Sequence, residues 1–459
     1  MLIVSLGFLA CIILKDPLCI FCFSFCFLLY LNERFHSKRI LIVFMILSLF
    51  SIVLVKPCKE AEKGIYTISE IKQSYYVAKN QRTRVLVQSD LDLNFKDQIQ
   101  VDSLEPIHTD DNFTLFSFTK YNASKNVFYK TKSIRILKKS NSLKSKLYTY
   151  ISSQKNSKVL LSLYYGIHED TIDEIYTMLG YGYISAYFIV FNLLKRKYED
   201  KKIRISLLIL SILFGSFFVF TLSLTRFILY QISYLFFKSK SDQIGFTILC
   251  FSILYPTQVL SISFVLPILL QLVSYFCTEH KWIVQKMVLI SVLFIYFKKV
   301  DIVSFLLFNL LRKLYGCVFL LGMFIPDFVT LKIPSITIHY APQYVFIFIF
   351  IVVYIQCLKH FKWKYMILFL IPFLEVFCNP FFQVYTLNIG QGDCSVIVEP
   401  FYKSVVMIDC GQSLYRDNVE RIIFPFLENK NIHTIDTLIL THADFDHSGG
   451  YDRLKDMVK

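Results

Sequence analysis

The chain has 459 residues, of which 55% are apolar and 18% are charged, and its mean hydropathy is +0.52. Soluble domains contain about a quarter charged residues, so this composition argues against a soluble globular protein and favours a membrane protein. The formal net charge is +15, and the twelve cysteines belong to a chain too long for a small disulfide-stapled fold.

Two apolar stretches open the chain, and we assign residues 1–55 to N-terminal transmembrane helices. Residues 2–31 are apolar except for Lys15-Asp16-Pro17. Because a helix needs about 20 residues to cross a bilayer, this stretch forms either a tight hairpin of two short helices or one long tilted span. The sequence RILIVFMILSLFSIVLV at 39–55 predicts a cleaner span.

Residues 56–158 change to short runs in which apolar and polar residues alternate. The runs are TRVLVQ (83–88), DQIQVDS (97–103), FTLFSFTKY (113–121) and KSIRILKK (132–139). Alternation with a period of two is typical of strands that are buried on one face. It predicts a small antiparallel all-β domain or barrel.

Residues 159–382 return to long apolar stretches and predict the main transmembrane domain. Candidate spans lie at 175–194, 203–224, 226–237, 244–276 (broken at Pro256 and Pro267), 283–297, 302–330, 336–358 and 365–382. With the N-terminal helices, roughly nine to eleven spans are expected. The predicted fold class is therefore a polytopic α-helical membrane protein with an inserted all-β domain.

The charges of the short loops predict an orientation. ERFHSKR (33–39) has three Lys or Arg, KRKYEDKKIR (195–204) has six and KHFKWK (359–364) has three. Short basic loops stay in the cytoplasm. The prediction is a multi-pass protein of the cytoplasmic membrane, embedded in the lipid bilayer, with residues 56–158 and the segment after residue 382 on the outer side.

One segment of the β region is strongly basic. Residues 112–158 contain eleven Lys or Arg and no Asp or Glu, and aromatic rings are interleaved with the cations. This combination is typical of surfaces that bind single-stranded nucleic acid. The alternatives are a solvated face or attraction to anionic lipid headgroups. The candidate DNA-binding residues are Lys120, Lys125, Lys130, Lys132, Arg135, Lys138 and Lys139.

A metal-ligand pattern lies near the end of the chain. The strand-like TIDTLILTH (434–442) leads into His442-x-Asp444-x-Asp446-His447, followed by two glycines. Imidazole nitrogens and carboxylate oxygens suit zinc or manganese, and a two-metal site activates water and stabilises both oxygens of a phosphodiester displacement. We predict that all four side chains are metal ligands and that Asp446 is also catalytic. The alternative is a polar loop without a metal.

Two strand-like segments precede this loop, VYTLNIGQGDCSVIVEP (384–400) and KSVVMIDCG (403–411). Asp393 and Asp409 stand at strand ends, where their carboxylates are predicted either to orient metal ligands through hydrogen bonds or to cap turns. Cys394 and Cys410 take comparable places on the two strands, and they form either a disulfide or two small buried thiols.

These segments together resemble a known family. LNIGQGDCSVIV, VVMIDCGQ and IIFPFLENKNIHTIDTLILTHADFDHSGG are similar to the start of the metallo-β-lactamase-like domain of the ComEC family, bacterial channels for DNA uptake in natural transformation. Residues 112–137 resemble the end of that family's OB-like domain, and residues 159–194 resemble the start of its competence domain. The resemblance implies N-terminal helices (1–55), a basic OB-like domain (56–158), a competence-type transmembrane domain (159–382) and the first part of an α/β metallo-β-lactamase-like domain (383–459).

The family resemblance implies a DNA internalisation channel. DNA would be bound outside and one strand passed through the membrane, and the hydrolase-like domain would act as a metal-dependent nuclease. DNA in transit is the implied partner, with other competence proteins and further copies of the chain as candidates. Asp444 replaces the middle histidine of the broad superfamily's usual H-x-H-x-D-H loop, a change that the ComEC branch tolerates. Phe188 departs from the family itself, which has a histidine at this position.

Residues 383–459 supply only the first half of the implied hydrolase fold, without its later His and Asp ligands. We therefore expect a truncated, split or frameshifted member of the family, in which zinc or manganese binds only if further sequence completes the site. Two alternatives stay open: a membrane-anchored metallohydrolase that acts on a small substrate, and a decayed paralogue without transport activity.

Overall fold

The computed structural model describes most of the chain. The described residues are 1–54, 61–72, 74–107, 118–154, 157–167, 178–277, 280–322, 324, 337–340, 344–359, 362, 367, 369, 379–390, 392–413 and 417–459. The chain divides into two compact units. The first comprises Met1–Ile107, Asn122–Tyr275 and Leu306–Pro334, and the second comprises His108–Tyr121, Phe276–Phe305 and Ser335–Lys459.

Three helices open the first unit: α1 (Leu2–Leu14), α2 (Pro17–Phe35) and α3 (Lys38–Leu54). The carboxylate of Asp16 accepts hydrogen bonds from the backbone N–H groups of Leu18 (2.9 Å) and Cys19 (3.0 Å), and Pro17 begins α2. An acceptor side chain followed by proline is a strong helix start. The polar break therefore separates two helices, and the alternative of one long span is wrong.

The basic region forms a seven-stranded sheet. Its strands are β1 (Gly64–Ile71), β2 (Tyr76–Lys79), β3 (Arg84–Val87), β4 (Gln98–Val101), β5 (Glu105–Pro106), β6 (Val127–Thr131) and β7 (Ile134–Lys138), in the order β5-β6-β3-β2-β1-β4-β7. The described pairs are antiparallel, apart from the parallel pair of β3 and β6. The strands predicted at 83–88, 97–103 and 132–139 are confirmed.

The prediction of an all-β region is wrong in two places. Part of the predicted strand 113–121 is a helix, α4 (Phe118–Ser124), while residues 113–117 lie outside the described residues. A second helix, α5 (Leu143–Ser152), follows β7, and the hydroxyl of Ser142 accepts the N–H of Ser145 (3.3 Å) at its start. An alternating pattern reports burial on one face, and packing overrides it in a short segment.

The sheet shares one buried core with a neighbouring helix, α6 (Ser157–Tyr165). Tyr165 of this helix belongs to the same apolar cluster as Tyr66 of β1. Its ring centroid lies 5.3 Å from that of Phe95, which precedes β4, and 5.5 Å from that of Phe218. Aromatic pairs at these distances add to the stability that apolar burial provides. Packing is thus continuous across residue 158, where a domain boundary is predicted.

Further helices follow in chain order, with one short two-stranded sheet among them. They are α7 (Tyr181–Leu194), α8 (Asp200–Phe217), α9 (Leu222–Phe236), α10 (Lys240–Leu254), α11 (Ile262–Phe276), α12 (Lys281–Phe297), β8 (Lys299–Asp301), α13 (Ile302–Leu306), α14 (Phe308–Leu321), β9 (Thr337–His339) and α15 (Tyr344–Lys359). Pro256 begins a short 3-10 helix between α10 and α11, as the predicted break requires. Pro267 lies inside α11, so the predicted break there is wrong. Proline removes one helical hydrogen bond, and apolar helices packed by neighbours tolerate that loss.

One helix in the described part of the chain, α2, is long and apolar enough to cross a membrane by length and composition. It has 19 residues, whereas α1, α7 and α11 are apolar but shorter. The number of spans and their orientation therefore remain predictions. The candidate span at 365–382 lies mostly outside the described residues.

The last part of the chain forms a second sheet. Its strands are β10 (Gln383–Thr386), β11 (Ser395–Val398), β12 (Val405–Ile408) and β13 (Thr437–Ile439), in that order. The first three are antiparallel neighbours, and β13 is parallel to β12. Three short helices accompany the sheet: α16 (Phe424–Asn429), α17 (Phe445–Ser448) and α18 (Tyr451–Leu454). Val396, Met407 and Phe426 are fully buried between sheet and helices.

A partly buried ion-pair network crosses the basic sheet. Glu70 of β1 pairs with Arg84 of β3, and a second carboxylate oxygen of Glu70 lies 3.9 Å from Nζ of Lys125. Burial alone would raise the pKa of Glu70, but the charges of Lys125, Lys72 and Arg84 outweigh burial and lower this pKa to about 2. The carboxylate is therefore charged at neutral pH, and it links β1 to β3 across the intervening strand β2.

Replacing Glu70 with Gln should remove an acid-sensitive part of the stability. A carboxyl group whose pKa is lowered by folding stabilises the fold above its unfolded value of 4.5, and this contribution is lost as the pH falls toward 2. Through this group we expect the wild-type sheet to lose on the order of 2 kcal/mol across that range. E70Q should have a lower free energy of unfolding at neutral pH than the wild type, and it should lose much less of that free energy as the pH falls.

Hydrogen exchange of the β1 and β3 amides in the full chain, corrected for intrinsic exchange rates, measures this difference. Equal acid sensitivity of the wild type and E70Q would contradict the role of Glu70.

Candidate functional site

The carboxyl ends of β12 and β13 position the metal-ligand pattern. Because these strands are parallel neighbours, with Ile408 opposite Ile439, the residues that follow them leave the sheet at the same edge. Asp409 follows β12, and Thr441 and His442 follow β13. Loops at the carboxyl ends of parallel strands are where α/β folds collect functional side chains.

Asp409 is the central hydrogen-bond acceptor at this edge. It is 3% exposed, and its φ of 57° lies in the left-handed region that few non-glycine residues occupy. Its Oδ1 accepts the backbone N–H of Thr441 (2.8 Å), and its Oδ2 accepts the Thr441 hydroxyl (2.8 Å). The same Oδ2 lies 2.9 Å from Nδ1 of His447. This carboxylate therefore joins the end of β12, the end of β13 and helix α17.

The contact with Asp409 orients the ring of His447. With Nδ1 donating to Asp409, the other ring nitrogen, Nε2, lies 3.8 Å from a carboxylate oxygen of Asp446 and 4.0 Å from one of Asp393. The ring centroids of His442 and His447 are 3.7 Å apart. Ligand atoms of His442, Asp446 and His447 all lie within 4.8 Å of one another. The fold thus brings three of the four predicted ligands together.

Asp444, the fourth predicted ligand, lies beside this cluster. Its Oδ2 is 3.5 Å from Nε2 of His442, and its side chain is exposed. Its carbonyl oxygen accepts the N–H groups of His447 (2.9 Å) and Ser448 (2.8 Å), so its backbone starts α17. The structure therefore places Asp444 at the rim of the cluster.

Backbone hydrogen bonds hold the metal loop against the sheet. The N–H of Cys410 donates to the carbonyl oxygen of His447 (2.7 Å), and the N–H of Gly450 donates to the carbonyl oxygen of Cys410 (2.8 Å). The N–H of Asp393 donates to the carbonyl oxygen of Asp446 (3.2 Å). The loop is thus fixed by main-chain contacts on both sides of the ligand cluster.

Two glycines permit this close approach. A Cβ atom at Gly392 or at Gly411 would collide with the carbonyl oxygen of Asp446. Gly392 also has a φ of +113°, which a residue with a side chain rarely adopts. The turns after β10 and β12 therefore require glycine for a steric reason, and Asp446 depends on both.

The Asp409–His447 contact changes the proton affinity of both groups. The hydrogen bond to Asp409 is the main cause that raises the pKa of His447 above its ordinary value. Burial alone would raise the pKa of Asp409, but the hydrogen bonds from His447 and Thr441 outweigh burial and lower it. Asp409 is therefore a carboxylate at neutral pH, and acid places a proton on His447 that competes with a metal ion.

The donor set fits a divalent metal ion. Two imidazole nitrogens and one carboxylate oxygen are ligands that zinc and manganese bind in proteins. A carboxylate that accepts the far N–H of a ligating histidine fixes its tautomer and orientation, and Asp409 is placed for this role. Asp393 is placed differently: its carboxylate faces Nε2 of His447 at 4.0 Å, on the ligand side of the ring.

Cys394 and Cys410 are both buried and both free. They pack in the core of the last sheet with apolar neighbours such as Val396 and Met407. Of the two alternatives drawn from the sequence, the structure has two small buried thiols.

Comparison with known proteins agrees with this part of the fold. Residues 387–456 match the metallo-beta-lactamase superfamily, whose members bind divalent metals in general. The C-terminal segment is metallo-beta-lactamase-like. The chain is also 38% identical over 79 residues to ComE operon protein 3 of Bacillus subtilis (strain 168). That alignment covers 15% of this chain and 10% of the relative, and no solved structure matches the chain.

The resemblance to the ComEC family is therefore supported in one segment of the chain. The match supports the predicted metallo-β-lactamase-like region and the general expectation of a divalent metal. The OB-like and competence-type domains remain predictions, as do the individual ligand roles.

Three of the candidate DNA-binding cations are engaged with partly exposed carboxylates, and a fourth, Lys139, is engaged with a buried one. Lys125 belongs to the Glu70 network and is 15% exposed. Nζ of Lys130 lies 3.9 Å from Glu105, and Nε of Arg135 lies 3.2 Å from Asp102. Lys125 thus contributes to the stability of the sheet, and a role in DNA binding remains a prediction for all three.

The remaining candidates differ in their surroundings. Nζ of Lys139 lies 3.5 Å from the carboxylate of Asp97, which is fully buried. Lys132 and Lys138 are exposed, and the side chain of Lys120 lies outside the described residues. A role of these candidates in DNA binding remains a prediction.

A groove of about 1060 Å³ on the sheet instead collects cations from several strands. Its basic lining residues are Lys79, Arg82, Lys96, Lys138 and Lys139. One acidic residue, Glu62, also lines the groove, 3.9 Å from Arg82. Lys79, Arg82 and Lys96 lie outside the basic stretch 112–158 and are not among the candidates predicted from the sequence. The hairpin sequence KNQRTR between β2 and β3 is the signal that points to two of them.

Replacing Asp409 with Asn should weaken metal binding by about 10- to 100-fold. The amide keeps the size of the side chain but loses the charge that holds the proton on Nδ1 of His447. Zinc titration of the full chain in detergent, in competition with a chromophoric chelator, measures the affinity. D452N is the control, because Asp452 is exposed and pairs with Lys455 away from the cluster. Equal affinity of D409N and the wild type would argue against the assigned role.

Replacing Gly411 with Ala should displace Asp446 and lower zinc affinity by at least about tenfold, since the new methyl group occupies the place of the Asp446 carbonyl oxygen. The same titration measures the effect. T434A, a small change at an exposed loop position before β13, should bind zinc like the wild type. Wild-type affinity in G411A would show that the loop position is not set by this contact.

Proposed function

We propose that this chain is a DNA-uptake channel of the cytoplasmic membrane. In this proposal DNA binds on the outer side, one strand passes through the helical region, and the C-terminal segment acts on DNA as a metal-dependent hydrolase. The observation that carries the proposal is the likeness of residues 387–456 to the metallo-beta-lactamase superfamily and, over 79 residues, to ComE operon protein 3. The ComEC family resemblance extends the proposal to the rest of the chain.

The proposed metal centre uses His442, Asp446 and His447, with Asp444 as a further ligand. A bound divalent ion would supply Lewis-acid activation of water and stabilise negative charge on a phosphodiester. The protein's own residues hold these ligands in position. Asp409 keeps Nε2 of His447 free for a metal, and the backbone contacts of Asp446 fix its carboxylate beside both histidines.

The proposed DNA contact is the basic groove of the first sheet. Lys79, Lys96 and Lys138 line it and have no ion-pair partner in the described part of the chain. Cations of this kind neutralise phosphates without reading base sequence, as a channel for arbitrary DNA requires. The strand order, with an antiparallel meander and one parallel pair, supports the OB-like assignment.

The proposed location is the cytoplasmic membrane, which the chain would cross several times. The apolar helix α2 and the shorter apolar helices α1, α7 and α11 support it, together with the overall composition. The basic loops at 33–39 and 195–204 would lie in the cytoplasm. Both the sheet of residues 64–138 and the metal loop would then lie outside, where incoming DNA is accessible.

Neutralising the groove should weaken DNA binding and reduce its salt dependence. We expect K79Q/K96Q/K138Q to bind a fluorescent oligothymidine more weakly than the wild type at low salt. The slope of log affinity against log salt should fall in magnitude by about 2, because each phosphate contact with a single strand contributes ~0.7. Fluorescence anisotropy with the full chain in detergent gives both quantities.

The matched control is K195Q/K202Q/K455Q, which removes the same charge from exposed cations that pair with Asp200, Glu199 and Asp452. It should bind like the wild type. If the wild-type chain does not bind DNA, a membrane-anchored hydrolase of a small substrate becomes the better account. If both triple variants lose affinity equally, the net charge and not the groove is responsible.

A further inference from the structure

Helix α9 carries a buried positive charge that is only partly satisfied by the described residues. Arg226 is 5% exposed, and its Nε and Nη2 atoms are buried without a hydrogen-bond partner among the described residues. A guanidinium group carries five N–H donors in a fixed fork. Leaving such a group desolvated and unpaired is costly, so its retention requires an explanation.

The neighbours of Arg226 come from helix α7. Phe227 packs against Tyr183 and Tyr187, with ring centroids 5.9 Å and 5.0 Å away, and the hydroxyl of Tyr187 donates to Oε1 of Gln231 (2.9 Å). Helices α7 and α9 therefore lie side by side at the level of Arg226. The guanidinium of Arg226 interacts electrostatically with the phenol groups of Tyr181 and Tyr183. The hydroxyl of Tyr183 is itself buried without a partner in the described residues.

A second arginine approaches the same place from helix α14. The guanidinium of Arg312 lies 5.9 Å from the ring centroid of Tyr181. Helix α14 is held close to α7 because Gly316 faces Ser185, where a Cβ atom on the glycine would come within 2.6 Å of the serine side chain. The Ser185 hydroxyl is also buried without a partner in the described residues. Two arginine side chains and two buried hydroxyl groups thus lie along this part of α7.

No carboxylate is available on these helices. The sequences of α7 (181–194), α9 (222–236) and α14 (308–321) contain no Asp and no Glu. Within the described parts of these three helices, the unpaired donors therefore meet N–H and O–H groups and no carboxylate. An oxyanion with several acceptor oxygens is the chemical complement of this arrangement.

We propose that Arg226, together with Arg312 and the hydroxyls of Tyr183 and Ser185, forms a binding site for a phosphate-class oxyanion among helices α7, α9 and α14. This inference deepens the proposed function and rests on it where the oxyanion is a phosphodiester of the strand in transit. A lipid headgroup phosphate has the same chemistry, and the experiment separates the two sources.

Thermal unfolding of the full chain in detergent tests the site. A ligand that binds the folded state raises the melting temperature, so inorganic phosphate should stabilise the wild type by a few degrees over chloride at equal ionic strength. R226M should melt higher than the wild type without phosphate, because an unpaired buried charge has been removed. R226M should also lose the response to phosphate.

R204M is the control variant. Arg204 belongs to the same unit, and its Nε is also buried without a partner among the described residues, but its Nη1 donates to Oε1 of Gln231 (3.2 Å) and its guanidinium lies 3.8 Å from the ring centroid of Tyr234. R204M should melt lower than the wild type and keep the response to phosphate. A lower melting temperature of R226M without phosphate would indicate a carboxylate partner within the chain and overturn the proposal. An undiminished response of R226M to phosphate would overturn it as well.

Two further ligands identify the source of the phosphate. An oligothymidine that stabilises the wild type but not R226M would place the strand in transit at this site. If phosphatidylglycerol micelles, and not the oligonucleotide, raise the melting temperature of the wild type but not of R226M, the site binds a lipid headgroup. In that case the oxyanion site is supported, but its link to DNA transport is not. The groove variant K79Q/K96Q/K138Q tests DNA binding independently of this site.

Discussion

A buried carboxylate at the end of a parallel strand pair determines the geometry of the metal loop. Asp409 is almost completely enclosed, and a buried charge is tolerated only when hydrogen bonds replace its lost hydration. Thr441 provides two donors and His447 a third, and these two residues come from opposite ends of the loop. The loop cannot move away from β12 without leaving this carboxylate unsatisfied. The arrangement of possible ligands is therefore a consequence of folding the sheet.

Elsewhere in the chain, buried charged groups follow the same rule that each needs hydrogen-bond or ion-pair partners. In the basic sheet, Glu70 accepts Arg84 and approaches Lys125, so part of the positive charge is used internally. Lys79, Lys96 and Lys138 line the groove outside that network. Arg226 is the opposite case, because it is buried and its helix neighbours offer no carboxylate. Paired cations maintain the structure, and unpaired ones are where we infer ligands.

The sequence predicted those features that depend on neighbours in the chain. The alternating runs gave β3, β4 and β7, and the H-x-D-x-D-H spacing indicated the ligand cluster, since closely spaced residues in one loop remain close after folding. It did not predict that Asp444 lies at the rim, because that depends on how α17 begins. It also missed Lys79 and Lys96, which reach the groove only through strand pairing. The helix at 118–124 shows the limit of a periodic pattern in a short segment.

The packed rings of Phe95, Tyr165 and Phe218 have a mechanical consequence. They fasten the basic sheet to the helices through a shared apolar core, where many multidomain proteins have a flexible tether. A polymer held on this sheet would meet the adjoining helices at one defined separation and angle. Its local concentration there would be set by rigid geometry and not by the statistics of a linker.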